Sequence, residues 1–215
     1  MASGKLPLPS KPLWATAVCL TLLLLGIFYA LGNRRYPSFA KPLDWQAVTG
    51  QLSDGDLIFR TGSDIISRAV LTQSHAARFA HVGIILKSES ELVVVHALPG
   101  DHRSPGGVVL EPLRTFAAQD KAIAIGFYRV KHINSNIRNH VRNYSLAQVG
   151  KPFDYRFLLS DDQQLYCTEL VVKAFAEAGI NLTTSLPKLR IMLMPEPVFP
   201  PDTLRHSSQL EPILQ

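Results

Sequence analysis

The residues best suited to chemistry are one cysteine and two histidines. Apart from Cys19, Cys167 is the only cysteine in the chain. It stands in Leu165-Tyr166-Cys167-Thr168-Glu169-Leu170-Val171, near the start of an amphipathic stretch from Gln164 to Ala178 that Gly179 closes. A thiol in the first helical turn feels the positive end of the helix dipole, which lowers its pKa. Asp161 or Asp162 is placed to cap that helix. A thiolate facing an imidazole that can hold its proton is an arrangement for nucleophilic catalysis. The backbone amides beside it are natural oxyanion donors.

The imidazoles come from a hairpin. His81 to Leu86 and Glu91 to Ala97 are apolar, β-branched runs flanking Lys87-Ser88-Glu89-Ser90. With Leu86 opposite Glu91, His81 falls opposite His96. Directly opposed side chains share a face, with Cβ atoms about 4.5–5.5 Å apart. A one-residue slip would separate them. One imidazole can then hold the thiol proton while the other orients it and stabilises its cation. On the residues alone other readings stay open. A helical cysteine can be a small buried hydrophobe, and His81, His96 and Cys167 would also make a catalytic zinc set.

The elements that must carry these residues are legible in outline. Asp44 to Gln51 reads as a short helix or turn, Asp56 to Arg60 as a strand and Asp64 to Leu71 as a short helix. Val108 to Leu110 is a short strand, Pro112 to Ala118 a helical turn and Ala122 to Val130 a strong strand. Ile133 to Val149 is a helix stopped by Gly150 and Pro152. The proline-rich tail from Pro187 is expected to wrap the surface. Strands clustered in the first half and two helices in the second predict an α+β fold.

Charge divides the chain. The net +5 lies wholly in residues 1–41, in Lys5, Lys11, Arg34, Arg35 and Lys41; the remainder holds 17 bases and 17 acids. A neutral body with no basic cluster argues against nucleic acid as a partner. Leu13 to Leu31 is an uncharged apolar run with Trp14 and Tyr29 near its ends. As a helix its 19 residues span about 28 Å, close to the hydrocarbon thickness of a bilayer. The expected organisation is a single-pass transmembrane anchor over 1–35, a linker over 36–42 and a catalytic domain over 43–215. Two cysteines, one of them inside the span, make no disulfide framework.

Five pieces in order resemble the permuted papain-like amidases of the NlpC/P60 superfamily, the YiiX/YaeF-like group. They are Gly55-Asp56-Leu57-Ile58-Phe59-Arg60, Ala80-His81-Val82-Gly83-Ile84, Val94-Val95-His96-Ala97, Gly150-Lys151-Pro152-Phe153-Asp154-Tyr155 and Tyr166-Cys167-Thr168-Glu169-Leu170-Val171. In papain-like enzymes the cysteine precedes the histidine; here the order is reversed, as in the permuted group. The resemblance implies a small antiparallel sheet packed on the cysteine helix, with Cys167 the nucleophile, His81 the base and His96 the third polar residue. Bacterial relatives carry a glutamate at that third position, whereas the lecithin retinol acyltransferase branch carries histidine. Arg60 and Tyr155 are candidate substrate-binding residues, and neither a metal nor another cofactor is called for. The expected activity is amide hydrolysis through a cysteine thioester, on a cell-wall peptide or an acylated amine. The alternative is a lipid-directed acyltransferase or thioesterase using the same site. The expected location is a bacterial inner membrane, with the domain on the periplasmic side.

Overall fold

The computed structural model describes residues 44–62, 78–102, 104–118, 120–190 and 195–214. The expected anchor, linker and the helix over 64–71 lie outside them. Among the described residues no helix is long and apolar enough to cross a membrane.

Six strands form one antiparallel sheet: β1 (Asp56–Thr61), β2 (His81–Lys87), β3 (Leu92–Pro99), β4 (Gly106–Pro112), β5 (Ala124–Val130) and β6 (Leu210–Leu214). Their spatial order is β4-β3-β2-β1-β5-β6. The helices are α1 (Trp45–Gln51), the single turn α2 (Leu113–Phe116), α3 (Ser135–Ala147), α4 (Cys167–Glu177) and the short α5 (Pro201–Arg205). This is the α+β architecture the sequence predicts.

The strand runs are apolar almost throughout because both faces of the sheet are covered. Successive side chains alternate between faces. Leu57, Phe59, Val82, Ile84, Val93 and Val95 meet Leu170, Val171, Ala174 and Phe175 of α4. Ile58, Ile85, Val94, Ile125 and Phe127 meet Val48 and Leu52 from the α1 segment and Leu113 and Phe116 of α2. Asp44 caps α1, its carboxylate accepting from the backbone N–H groups of Gln46 and Ala47 at 3.1 Å each.

Three expectations are corrected. The β2–β3 turn is Ser88–Glu91, with Lys87 opposite Leu92, so the register is two residues away from the expected one. Strand β4 runs past Leu110 to Pro112. The tail does not merely wrap the surface: β6 pairs with β5, and Val198, Phe199 and Leu204 are buried.

Candidate active site

The sequence places the nucleophile helix three residues too early. Leu165 is held extended by a bridge to Phe153, its N–H donating to the carbonyl of Pro152. Helix α4 therefore begins at Cys167 itself, after Tyr166. Neither Asp161 nor Asp162 caps it: Asp162 pairs with Lys173 at 2.6 Å and Asp161 pairs with Arg156. The residue that reaches back is Glu169, whose Oε2 accepts from the Tyr166 backbone N–H at 3.2 Å. Its Oε1 lies 2.7 Å from Lys173 Nζ. Burial pushes the Glu169 carboxyl up to about 7, against the pull of Lys173.

Cys167 occupies the first helical position, but the dipole does not prevail there. Burial pushes its thiol up, opposed by the Thr168 hydroxyl and the backbone N–H groups of Val82, Thr168 and Cys167. The expectation of a lowered thiol pKa is therefore corrected. Sγ stands 3.9 Å from Thr168 Oγ1. The Val82 amide follows His81 directly, so the thiol stands at the opening of β2, next to the backbone that carries His81. No hydrogen bond joins Sγ to the His81 ring.

The two histidines are joined. His81 Nε2 lies 2.9 Å from His96 Nδ1, with the rings edge-on and their centroids 5.0 Å apart. In the observed register His96 stands opposite Gly83, and His81 reaches it on the diagonal. Gly83 makes that possible. A Cβ there would lie 3.1 Å from His96 Cβ and well inside van der Waals contact distance of Val94 Cγ1. The Phe116 ring stacks on His81 at 5.6 Å and meets His96 edge-on at 4.9 Å. Burial lowers both imidazole pKa values; for His81, Arg60 and His96 add to the effect, and for His96 Glu111 opposes it.

Sequence reasoning missed Glu111. His96 is opposite Val109, and Glu111 lies on the next diagonal along the same face of β4. Its Oε1 is 3.0 Å from His96 Nε2 but off the line of the ring N–H, so the contact is electrostatic with poor hydrogen-bond alignment. Its other oxygen lies 3.2 Å from Lys121 Nζ. Burial alone would raise its carboxyl, but His96 and Lys121 hold it at about 2. Extending β4 by two residues is what would have exposed this partner.

Of the two substrate-binding candidates, Arg60 is opposite His81 in the β1–β2 register. Its guanidinium donates to the Phe116 carbonyl at 2.7 Å, covers the Phe116 ring at 4.1 Å and stands 4.0 Å from Glu111. Arg60 thus packs beside the histidines. Tyr155 is 60% exposed, with its hydroxyl accepting from the Gly100 N–H at 2.7 Å. It stands at the β3–β4 hairpin, and no contact joins it to the histidines. Asp56 is a structural anchor: fully buried, it receives Arg129 through two bonds of 2.8 and 2.6 Å and the Ser53 N–H at 2.7 Å.

Comparison with known proteins bears on the fold and the family. A solved structure described as metalloprotein yiiX from Escherichia coli O157:H7 superposes with a TM-score of 0.65 at 21% identity, covering 77% of this chain and 98% of that one. That likeness shows the fold. The uncharacterized protein YiiX of Escherichia coli K12 is 30% identical over 147 residues, 66% of this chain and 62% of that protein. Residues 51–199 match the family model for the permuted papain-like amidase enzymes, YaeF/YiiX. The match takes in every residue of the cluster, and the chain belongs to this C92 family of cysteine peptidase-type hydrolases.

Proposed function

We propose that the protein is a membrane-anchored amidase, tethered through residues 13–31, with Cys167 as nucleophile and His81 as base. Cys167 attacks the carbonyl carbon of an amide, and its proton passes to His81. The tetrahedral oxyanion is met by backbone N–H groups at the start of α4. His81 returns the proton to the leaving amine, leaving a thioester. Water then attacks, giving its proton to His81, and the acid departs as the thiol reforms. The substrate is a cell-wall peptide or an acylated amine, and the wider kinship is to the NlpC/P60 enzymes. The observation that carries this reading is the 2.9 Å contact between His81 and His96, with Cys167 at the first position of α4 and its thiol near the Val82 amide that follows His81.

One observation favours a second reading, a lipid-directed acyltransferase or thioesterase: the third polar residue is His96, fully buried and bonded to the base. The yiiX structure is described as a metalloprotein. Here, among the described residues, no three His, Cys, Asp or Glu side chains are grouped to hold a metal. His81 and His96 are engaged with each other, so we route no step through a metal.

The test is covalent labelling of the full chain with a peptide-like and a lipid-like electrophile, followed by mass spectrometry. Both readings expect an adduct on Cys167 that is lost in His81→Ala. Preference for the peptide-like probe supports the amidase, and preference for the lipid-like probe supports the second reading. If neither Cys167→Ala nor His81→Ala changes labelling or turnover, both fail.

A further inference from the structure

Glu111 touches the relay at the end away from the thiol. Its carboxylate faces His96 Nε2 at 3.0 Å and Lys121 Nζ at 3.2 Å, with the Arg60 guanidinium at 4.0 Å. Two cations and the low-lying carboxyl keep it ionised. An ionised carboxylate only accepts. A bare nitrogen lone pair 3.0 Å from that charge would be repelled, so even off the N–H line the electrostatic contact puts the His96 hydrogen on Nε2. A neutral imidazole has one N–H, so His96 Nδ1 is bare and accepts. His81 Nε2 stands 2.9 Å from that bare nitrogen and must donate to it. His81 is in turn neutral, since burial and the neighbouring Arg60 disfavour its cation. Its own Nδ1 is then the bare nitrogen.

We infer that Glu111 is a positioning residue which, acting through His96, holds His81 in the tautomer whose Nδ1 can take the Cys167 proton. This rests on the reading of Cys167 and His81 as nucleophile and base. The proton balance is simple: the S–H bond breaks, an N–H bond forms at His81 Nδ1, and the imidazolium then donates from both nitrogens. His96 and Glu111 keep their protonation throughout. No transfer along the chain is needed, only the order of hydrogens that the carboxylate imposes. The separation of roles is written into the strands: β2 supplies the base, β3 the intermediary and β4 the charge.

Replacing the carboxylate by an amide tests the order directly. In Glu111→Gln the amide can turn its NH2 toward His96 Nε2. That nitrogen becomes the acceptor, His96 donates from Nδ1, and His81 Nε2 must accept. The His81 hydrogen then sits on Nδ1, and the base is lost. An amide replacing the carboxylate behind a catalytic histidine costs about 10⁴ in kcat in the serine-protease triad. With one more ring between charge and base, the expected loss here is at least about 10² in kcat on a p-nitrophenyl acyl ester.

The readout is nitrogen NMR of the full chain labelled with 15N-histidine, with His81 and His96 assigned by single substitution. In the wild type, His81 is expected to show a bare Nδ1 and a protonated Nε2, and His96 the same. Glu111→Gln is expected to reverse both rings, and Glu111→Asp, which keeps the charge, to restore them. A wild-type His81 protonated on Nδ1 overturns the inference, as does a folded Glu111→Gln variant with both tautomers unchanged. The wild-type measurement decides even if the variant does not fold. If the tautomers are as stated but the wild type leaves the ester intact, the catalytic reading falls while the proton order stands.

Discussion

The substitution Gly83→Ala strikes the site without touching any reacting group. Gly83 lies opposite His96 and two residues from His81 on the same face of β2. A Cβ there would lie 3.1 Å from His96 Cβ, 3.2 Å from the Val95 carbonyl oxygen and roughly 1 Å inside the usual carbon–carbon separation from Val94 Cγ1. Val94 is fully buried, and the Val95 carbonyl is backbone, so neither yields cheaply. Overpacking of this kind costs about 1–3 kcal/mol. For a body of this size that corresponds to a fall in Tm of roughly 2–10 °C. The contact falls on His96 Cβ, so relief of the crowding shifts the β3 backbone that carries the ring, and that shift opens the 2.9 Å contact with His81. A displacement near 1 Å at a catalytic group can cost about 10² in rate. Thermal unfolding of the full chain followed by circular dichroism reads the first effect, and ester turnover reads the second. A variant with unchanged Tm and unchanged turnover would refute the claim that the empty face of Gly83 makes room for the histidine pair.

Other perturbations give separate readouts. Because burial pushes the Cys167 thiol up, its alkylation by iodoacetamide should climb about tenfold per pH unit from 7 to 9; a plateau reached below pH 7 would instead reveal a preformed thiolate. Glu111 is held at about 2 against an ordinary 4.5, so its contribution is full above pH 4.5 and fades as the pH falls through 2. The stability gap between wild type and Glu111→Gln should therefore shrink by up to about 3 kcal/mol across that window in urea titrations. Glu169 has the opposite sign: its pKa is raised to about 7, so its contribution is full below pH 4.5 and is lost as the pH rises through 7. Glu169→Gln should gain on the wild type between pH 5 and 8, and a gap that moves the other way refutes the assignment. Asp56→Ala should destabilise by about 3 kcal/mol, since it strips both bonds from Arg129 at a fully buried position; a loss below about 1 kcal/mol in the same titration would contradict it.

Five of the six strands announce themselves as apolar β-branched runs, because the sheet is covered on both faces. The sixth does not. β6 contains Pro212, which a central strand would reject, and it pairs on one side only with β5. Its proline reads as punctuation in the sequence, while edge position is a property of the assembled sheet. The start of α4 was misplaced for a similar reason. Gln164, Leu165 and Tyr166 carry no signal against helix, and what holds Leu165 extended is its bridge to Phe153, twelve residues upstream. The thiol pKa failed on competition between two effects. The dipole at a helix start is visible in the sequence, but burial of that start against β2 is not, and burial is the larger.

The histidine pair was found although the register assigned to it was wrong, and the reason explains Glu111 as well. A strand places alternate residues on one face, so an error of two leaves every side chain on its proper side. The true register puts His96 opposite Gly83 and leaves His81 to reach it diagonally. Diagonal neighbours in a sheet lie about 7–8 Å apart, a gap that two imidazole rings can bridge. The same step from Val109 leads to Glu111. Each member of the relay is thus one strand over and displaced by two residues from its direct partner. Face parity is therefore the robust inference from a hairpin sequence, and the exact partner is the fragile one. One face runs across all three strands from His81 through His96, and the alternation of Val109 and Glu111 along β4 puts the carboxylate on it.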